Sequence, residues 1–296
     1  MEQKSPTFSI VIPTRNRPGP LANCLRSIAQ LESPRDKIEV IVVDDGSNIS
    51  PESATSSVCD RLDVKLFRQS QAGPAAARNA GARKAKGKFL VFLDDDCIPR
   101  GDWLQALADR FARMPDHAIG GRTLNALPEN IYSTTSQLVI DFVYGYYNAN
   151  LDQARFFASN NIALPSDCFL AVGGFNEAFT TSEDREFCDR WLRHGYRMAY
   201  APEVIISHAH ALTFFTFWRQ HFNYGRGAFR FRRALARNEE AKIKLEAPSF
   251  YRRLLSYPFS LARNGRALWL TMFVAISQVA SAAGFLREWA AQLRKG

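Results

Sequence analysis

The 296-residue sequence predicts an α/β protein: a mostly parallel sheet flanked by helices, with a helical C-terminal extension. Two observations predict the sheet. Short apolar runs alternate with helix-like stretches through the first part of the chain, and each run gives way to a tight polar cluster. A third observation, a basic and aromatic composition beyond residue 211, predicts the extension. With 46% hydrophobic and 23% charged residues, the chain has the make-up of a folded globular protein, not a disordered one.

The strands come first. Phe8–Pro13, Glu39–Val43, Val64–Phe67 and Phe89–Leu93 are apolar runs, three of them rich in Val and Ile. Helix-like stretches lie around Pro20–Leu31, Pro74–Lys86 and Asp102–Met114. Strands alternating with helices imply a parallel sheet covered on both faces.

The polar clusters carry the functional signal. Phe8–Pro13 leads into Thr14, Arg15, Asn16 and Arg17; Glu39–Val43 into Asp44, Asp45, Gly46 and Ser47; Phe89–Leu93 into Asp94, Asp95 and Asp96. Asp-Gly-Ser alone is turn chemistry. Three such ends in one sheet suit a polar, phosphate-bearing ligand, because open parallel sheets bind ligands beyond the carboxyl ends of their strands. Three adjacent carboxylates repel one another unless a cation joins them, and magnesium or manganese takes oxygen ligands shared with substrate phosphates. On an extended backbone Asp94 and Asp96 would share one side, with Asp95 opposite and free for a ribose hydroxyl.

The second half adds Ser159-Asn160-Asn161, then Val172-Gly173-Gly174-Phe175-Asn176-Glu177, then Ser182-Glu183-Asp184. Gly173 and Gly174 allow backbone close to a ligand. Ser182 opens a helix-like segment to about His194, where acidic residues also suit the helix dipole, so capping competes with catalysis for Glu183 and Asp184. His208 ends the run Val204–Ser207, and a two-carboxylate metal site leaves room for a neutral imidazole. No dinucleotide fingerprint or P-loop follows the strands, which argues against a dehydrogenase or P-loop NTPase.

In this order the motifs resemble glycosyltransferase family 2, the inverting enzymes of GT-A (Rossmann-like) fold, across roughly residues 8–230. The resemblance rests on Ile12–Arg17, Val42–Ser47, Gly73 with Ala77-Arg78-Asn79, Phe92–Asp96, Gly173–Glu177 and Glu183-Asp184. It implies a nucleotide-sugar donor, a divalent metal (manganese or magnesium) and a glycan, lipid-linked or other hydroxyl acceptor. Pro13, Thr14, Arg15, Asn16, Asp44, Asp45, Arg78, Asp94 and Asp95 would hold the nucleotide; Asp94, Asp96 and His208 the metal. Asn161, Gly173, Gly174, Phe175 and Glu177 would line the sugar and acceptor cleft, and Asp184, with Glu183 beside it, would act as general base. Arg15 stands where the family commonly has an aromatic residue, and Gln220–Tyr224 only loosely matches the motif of processive synthases. A nucleotidyltransferase would also need metal and carboxylates, but gives no reason for Gly173–Glu177 or Glu183-Asp184.

These readings divide the chain into a catalytic domain at 1–211 (nucleotide-sugar half 1–122, acceptor half 123–211) and a basic, aromatic extension at 212–296. Arg219–Arg266 holds 12 Lys and Arg against three Glu, matching the whole net charge of +9. Ala267–Leu286 is free of charge and just long enough to span a bilayer core. The extension is therefore expected to attach the enzyme to a membrane surface, peripherally at its cytoplasmic face; no recognised nucleic-acid motif accompanies the basic stretch, so nucleic acid is not an expected partner. Five scattered cysteines and an N-terminus with no long apolar region suit a reducing cytosol.

Overall fold

The computed structural model describes residues 6–32, 37–238, 245–261 and 265–294. Contacts divide the chain into two compact units, residues 1–124 with 147–209, and residues 125–146 with 210–296.

The first unit is the sheet. Its strands are β1 (Phe8–Thr14), β2 (Ile38–Asp45), β3 (Val64–Gln69), β4 (Phe89–Leu93), β5 (Cys97–Pro99), β6 (His117–Asn125), β7 (Asn161–Pro165) and β8 (Arg197–His208), in spatial order β3-β2-β1-β4-β7-β6-β8-β5. β3, β2, β1 and β4 run parallel, with Phe8 opposite both Ile38 and Phe89. β7 then pairs antiparallel with β4 and with β6, and β5 pairs antiparallel with β8, so the sheet is mixed. Helices of this unit are α1 (Pro18–Ile28), α2 (Glu52–Ser56), α3 (Pro74–Lys84), α4 (Trp103–Arg113), α6 (Ser166–Val172) and α7 (Glu183–Arg193).

Side-chain alternation sorts the two faces. Phe8, Ile10, Ile12, Val40 and Val42 point to one side, packed with Leu21, Leu25 and Ile28 of α1 and Leu104, Leu107 and Phe111 of α4. Ile41 and Val43 point to the other, against Ala77 of α3. With both faces covered, β1 and β2 are apolar almost throughout. Apart from Ser9 and Glu39, which hydrogen-bond each other at 2.6 Å near the amino ends, the polar residues of these two strands lie at their carboxyl ends.

The second unit is helical: α5 (Ile131–Tyr147, of which 131–146 belong here), α8 (Phe214–Asn238), α9 (Pro248–Leu261) and α10 (Gly265–Leu293). Asn130 caps α5 by accepting from the backbone N–H groups of Tyr132 and Ser133, both at 3.0 Å.

Candidate donor and catalytic site

The acidic triplet does not continue β4. The strand ends at Leu93, and Cys97 N–H donates to the Asp94 carbonyl at 3.1 Å, closing a turn. Strand alternation therefore fails here, which corrects the expected pairing of Asp94 with Asp96 and the expected freedom of Asp95. Asp95 and Asp96 instead share a partner. Arg17 reaches Asp95 Oδ1 at 2.9 Å and Asp96 Oδ2 at 2.6 Å, and Thr14 donates to Asp95 Oδ2 at 2.7 Å. Asp94 turns toward α3, where Arg78 Nη2 holds it at 2.6 Å.

Asp95 and Asp96 are about equally buried yet titrate in opposite directions. Burial raises Asp95 to about 6 against the pull of Arg17 and the Thr14 hydroxyl. Burial pushes Asp96 the same way, but the hydrogen bond and charge of His208, with those of Arg17, hold it below the usual carboxylate range. Two cationic partners outweigh desolvation where one does not. His208 answers in kind: burial lowers its pKa, and Asp96 at 3.1 Å more than reverses the loss.

Ligand atoms of Asp96, Cys97 and His208 all lie within 4.8 Å of one another. A carboxylate and an imidazole facing each other across 3.1 Å fit a divalent cation. Cys97 fits less well, since burial keeps its thiol protonated and hard cations prefer oxygen.

Arg78 ties this end of the sheet to α7. It is 4% exposed and bridges Asp94 to Glu183 Oε1, the latter at 3.2 Å. Its Nε has no partner among the described residues. Glu183 is thus engaged by a guanidinium, whereas Asp184 accepts from the Arg185 backbone N–H at 2.7 Å. Desolvation, then the charge of Glu183, raises Asp184 to about 7. Ser182 makes no side-chain cap, but Glu183 and Asp184 both lie in the first turn of α7, where acidic residues suit the helix dipole as the capping alternative expected.

The Gly173–Glu177 loop is fastened to α3 by Asn79. Its side chain donates to the Phe175 carbonyl (2.8 Å) and to Glu177 (2.9 Å), and accepts from Phe175 N–H (2.8 Å). Gly174 is required by this joint: its φ is +68°, and a Cβ would lie 2.6 Å from Asn79 Oδ1. Phe175 is buried among Phe92, Phe169 and Phe187.

Other expected site residues have local tasks. Asn16, at φ +55°, links two strand-end loops by accepting from Asn48 N–H (2.7 Å) and Ile49 N–H (3.2 Å). Asp44 accepts from Ser47 N–H, and Asp45 from Gln69, Ala72 and Gly73. Arg15 is exposed and Pro13 half-buried. Asn161 is 2% exposed, and its amide is engaged by Trp103, Arg122 and Val204 within the unit.

Arg17 and Asn79 were missing from the expected site. Both lie in the motifs read from the sequence, one residue from an expected ligand residue. Their partners Asp95, Asp96 and Phe175 are 78 to 96 positions away, so only folding reveals their tasks.

A GT-A sheet with carboxylates, a histidine and two arginines at one end defines a glycosyltransferase that uses a nucleotide-sugar donor. The chain belongs to glycosyltransferase family 2: the sequence model described as "Glycosyl transferase family 2" matches residues 9–175. It is 26% identical over 230 residues to the glycosyltransferase AglE of Haloferax volcanii, covering 77% of this chain and 74% of that one. It is 30% identical over 207 residues to the pre-mycofactocin glycosyltransferase of Mycobacterium tuberculosis, covering 68% of this chain but only 42% of that protein's length. Among solved structures, the mannosyltransferase PcManGT of Pyrobaculum calidifontis, in complex with GDP-Man and Mn2+, superposes with a TM-score of 0.64 at 21% identity, covering 99% of this chain and 81% of that one. S. aureus TarS residues 1–349 superpose with a TM-score of 0.57 at 14% identity, covering 98% and 92% respectively. At those identities the two structures attest the fold alone.

Proposed function

We propose that the chain is an inverting, divalent-metal-dependent glycosyltransferase with Asp184 as its general base, acting in cell-surface glycan or glycolipid assembly at the cytoplasmic face of a membrane. The observation that carries the mechanism is the contrast at Glu183-Asp184. Glu183 is held by Arg78, while Asp184 has a pKa raised to about 7, near the optimum for a base working at neutral pH.

In this reading Pro13, Thr14, Arg15, Asn16, Asp44, Asp45, Asp94 and Asp95 frame the nucleotide. Arg78 neutralises charge on the departing diphosphate, and its unpaired Nε supplies a donor. Gly173, Gly174, Phe175 and Glu177 shape the sugar and acceptor cleft, and Asn161 secures the sheet beneath it. Residues 1–211 form the catalytic part and 212–296 the attachment. Asp96 and His208 would hold manganese or magnesium, which when bound supplies Lewis-acid stabilisation of the leaving diphosphate. Asp184 takes the proton of the acceptor hydroxyl as that oxygen bonds to the anomeric carbon. The bond from that carbon to the diphosphate oxygen breaks, its electron pair leaving with the diphosphate, and the anomeric configuration inverts. The Pyrobaculum protein of the same fold holds GDP-Man and Mn2+, a nucleotide sugar and a divalent metal of the kinds proposed here.

The test is transfer assayed with UDP-, GDP- and dTDP-sugars and manganese, with and without excess chelator, and the product's anomeric configuration read by NMR. Inverted product, lost with chelator, is expected; retained configuration or full turnover in chelator overturns the proposal.

Arg17 gives a separate prediction. Removing one partner of a buried ion pair costs about 3–5 kcal/mol. The Arg17 side chain is 43% exposed, so water screens it and roughly 1–2 kcal/mol is expected for Arg17→Ala. The variant should melt below the wild type in chelator, and manganese should narrow the gap by supplying the missing cation. An unchanged melting temperature in chelator would remove Arg17 from this role.

A further inference from the structure

Within the helical unit, α10 has two unlike sides. Ala267, Leu270, Val274, Ser277, Ala280, Gly284 and Glu288 are buried. Leu268, Met272, Val279, Leu286 and Leu293 are 40–66% exposed, and their spacing of four and then seven residues puts them on one stripe. No charged residue interrupts that stripe between Leu268 and Leu286, while exposed Arg266 and Arg294 stand at its ends and exposed Arg287 lies beside its last turns. Exposed Trp269 and Trp289 flank it.

By length and composition α10 could cross a membrane. Its buried side argues otherwise. A Cβ on Gly284 would meet the Phe222 carbonyl at 1.9 Å and one on Gly225 the Ser281 carbonyl at 1.8 Å, so α8 and α10 touch backbone to backbone. Glu288, buried on α10, accepts from Arg226 at 2.9 Å and Arg230 at 2.8 Å, both on α8. A spanning α10 would carry α8 with it, and with α8 its arginines and the buried His221, into hydrocarbon that solvates none of them.

We propose that α10 binds a membrane in the plane of its surface, through the Leu268–Leu293 stripe, on anionic lipid. An uncharged apolar stripe ending in arginines and flanked by tryptophans fits acyl chains on one side and acidic headgroups at the margins. The same basic ends would repel a second copy of the chain packed stripe to stripe in parallel register. The inference rests on the membrane attachment proposed above and specifies its mode.

The experiment uses the full chain with vesicles of phosphatidylcholine alone or mixed with phosphatidylglycerol, at low and high salt. Binding is expected to the anionic vesicles, weakening with salt, and Val279→Asp with Leu286→Asp should reduce it about tenfold or more, with donor-induced thermal shifts unchanged. Leu268→Cys, Val279→Cys and Leu286→Cys, each labelled in a Cys59→Ser background because Cys59 is exposed, report depth by lipid-borne quenchers. Equal, shallow depths are expected. Val279 deep between shallow ends means a spanning helix: attachment stands and the in-plane mode falls. Vesicle binding untouched by the aspartates overturns the stripe. No vesicle binding at low salt overturns attachment itself, and a dimer dispersed by the same aspartates assigns the stripe to a second copy.

Discussion

Asp184→Asn is expected to slow transfer by about 100-fold or more while leaving donor affinity nearly unchanged, because the base acts on the acceptor. Asparagine keeps the shape and loses the basicity. The wild-type rate should rise with pH through about 7, where Asp184 loses its proton, and the residual rate of the variant should lack that limb. Stability should move the other way. A carboxyl whose folded pKa exceeds its unfolded value of about 3.9 favours folding when protonated, so that contribution is lost as pH rises from there through the folded value. Asp184→Asn removes the cost of that partly buried charge. Its melting temperature should match the wild type near pH 4 and exceed it at pH 8. Collapsed donor binding with normal turnover would make Asp184 a donor-site residue and pass the base role to Glu183.

Asp96→Ala is expected to reduce transfer by at least ~100-fold, the scale on which a single electrostatic group acts at developing charge. Asp96 accepts from both Arg17 and His208, so its removal separates the strand-end cation from the imidazole. Ligands that bind only the folded state raise the melting temperature. Nucleotide sugar with manganese should therefore stabilise the wild type far more than this variant, with circular dichroism unchanged between them. Equal stabilisation of the two proteins, or wild-type turnover in the variant, would remove Asp96 from the site.

Much of the first unit was legible in the sequence because its signals are local. Phe8–Thr14, Ile38–Asp45 and Phe89–Leu93 declare themselves as buried strands and Val64–Gln69 as a half-buried one by β-branched and aromatic density, and no observed end differs from expectation by more than two residues. Helix α5 did not declare itself. Its Thr134, Thr135, Val139 and Ile140 favour strands, and its helical state follows from the Asn130 cap and the burial of Ser133, Thr135, Leu138 and Phe142. Tertiary context overrode propensity there.

The same division runs through the site. The identities and order of Asp94–Asp96, Arg78, Gly173–Glu177, Glu183-Asp184 and His208 were fixed by the chain alone, and with them the family and the nucleotide-sugar chemistry. Which carboxylate faces which cation was decided only by folding. The triplet turns where an extended strand was expected, so Asp95 joins Asp96 on Arg17 and Asp94 goes to Arg78. Likewise Glu183 and Asp184 are adjacent acids in sequence, but Arg78 arrives from α3 to pair with Glu183, while burial, then the charge of Glu183, raises Asp184 against the opposing pull of Arg78 and Arg185. Composition and local spacing set which groups are available, but ionisation depends on burial and on charges within a few ångströms, and those neighbours come from residues as far as 105 positions away.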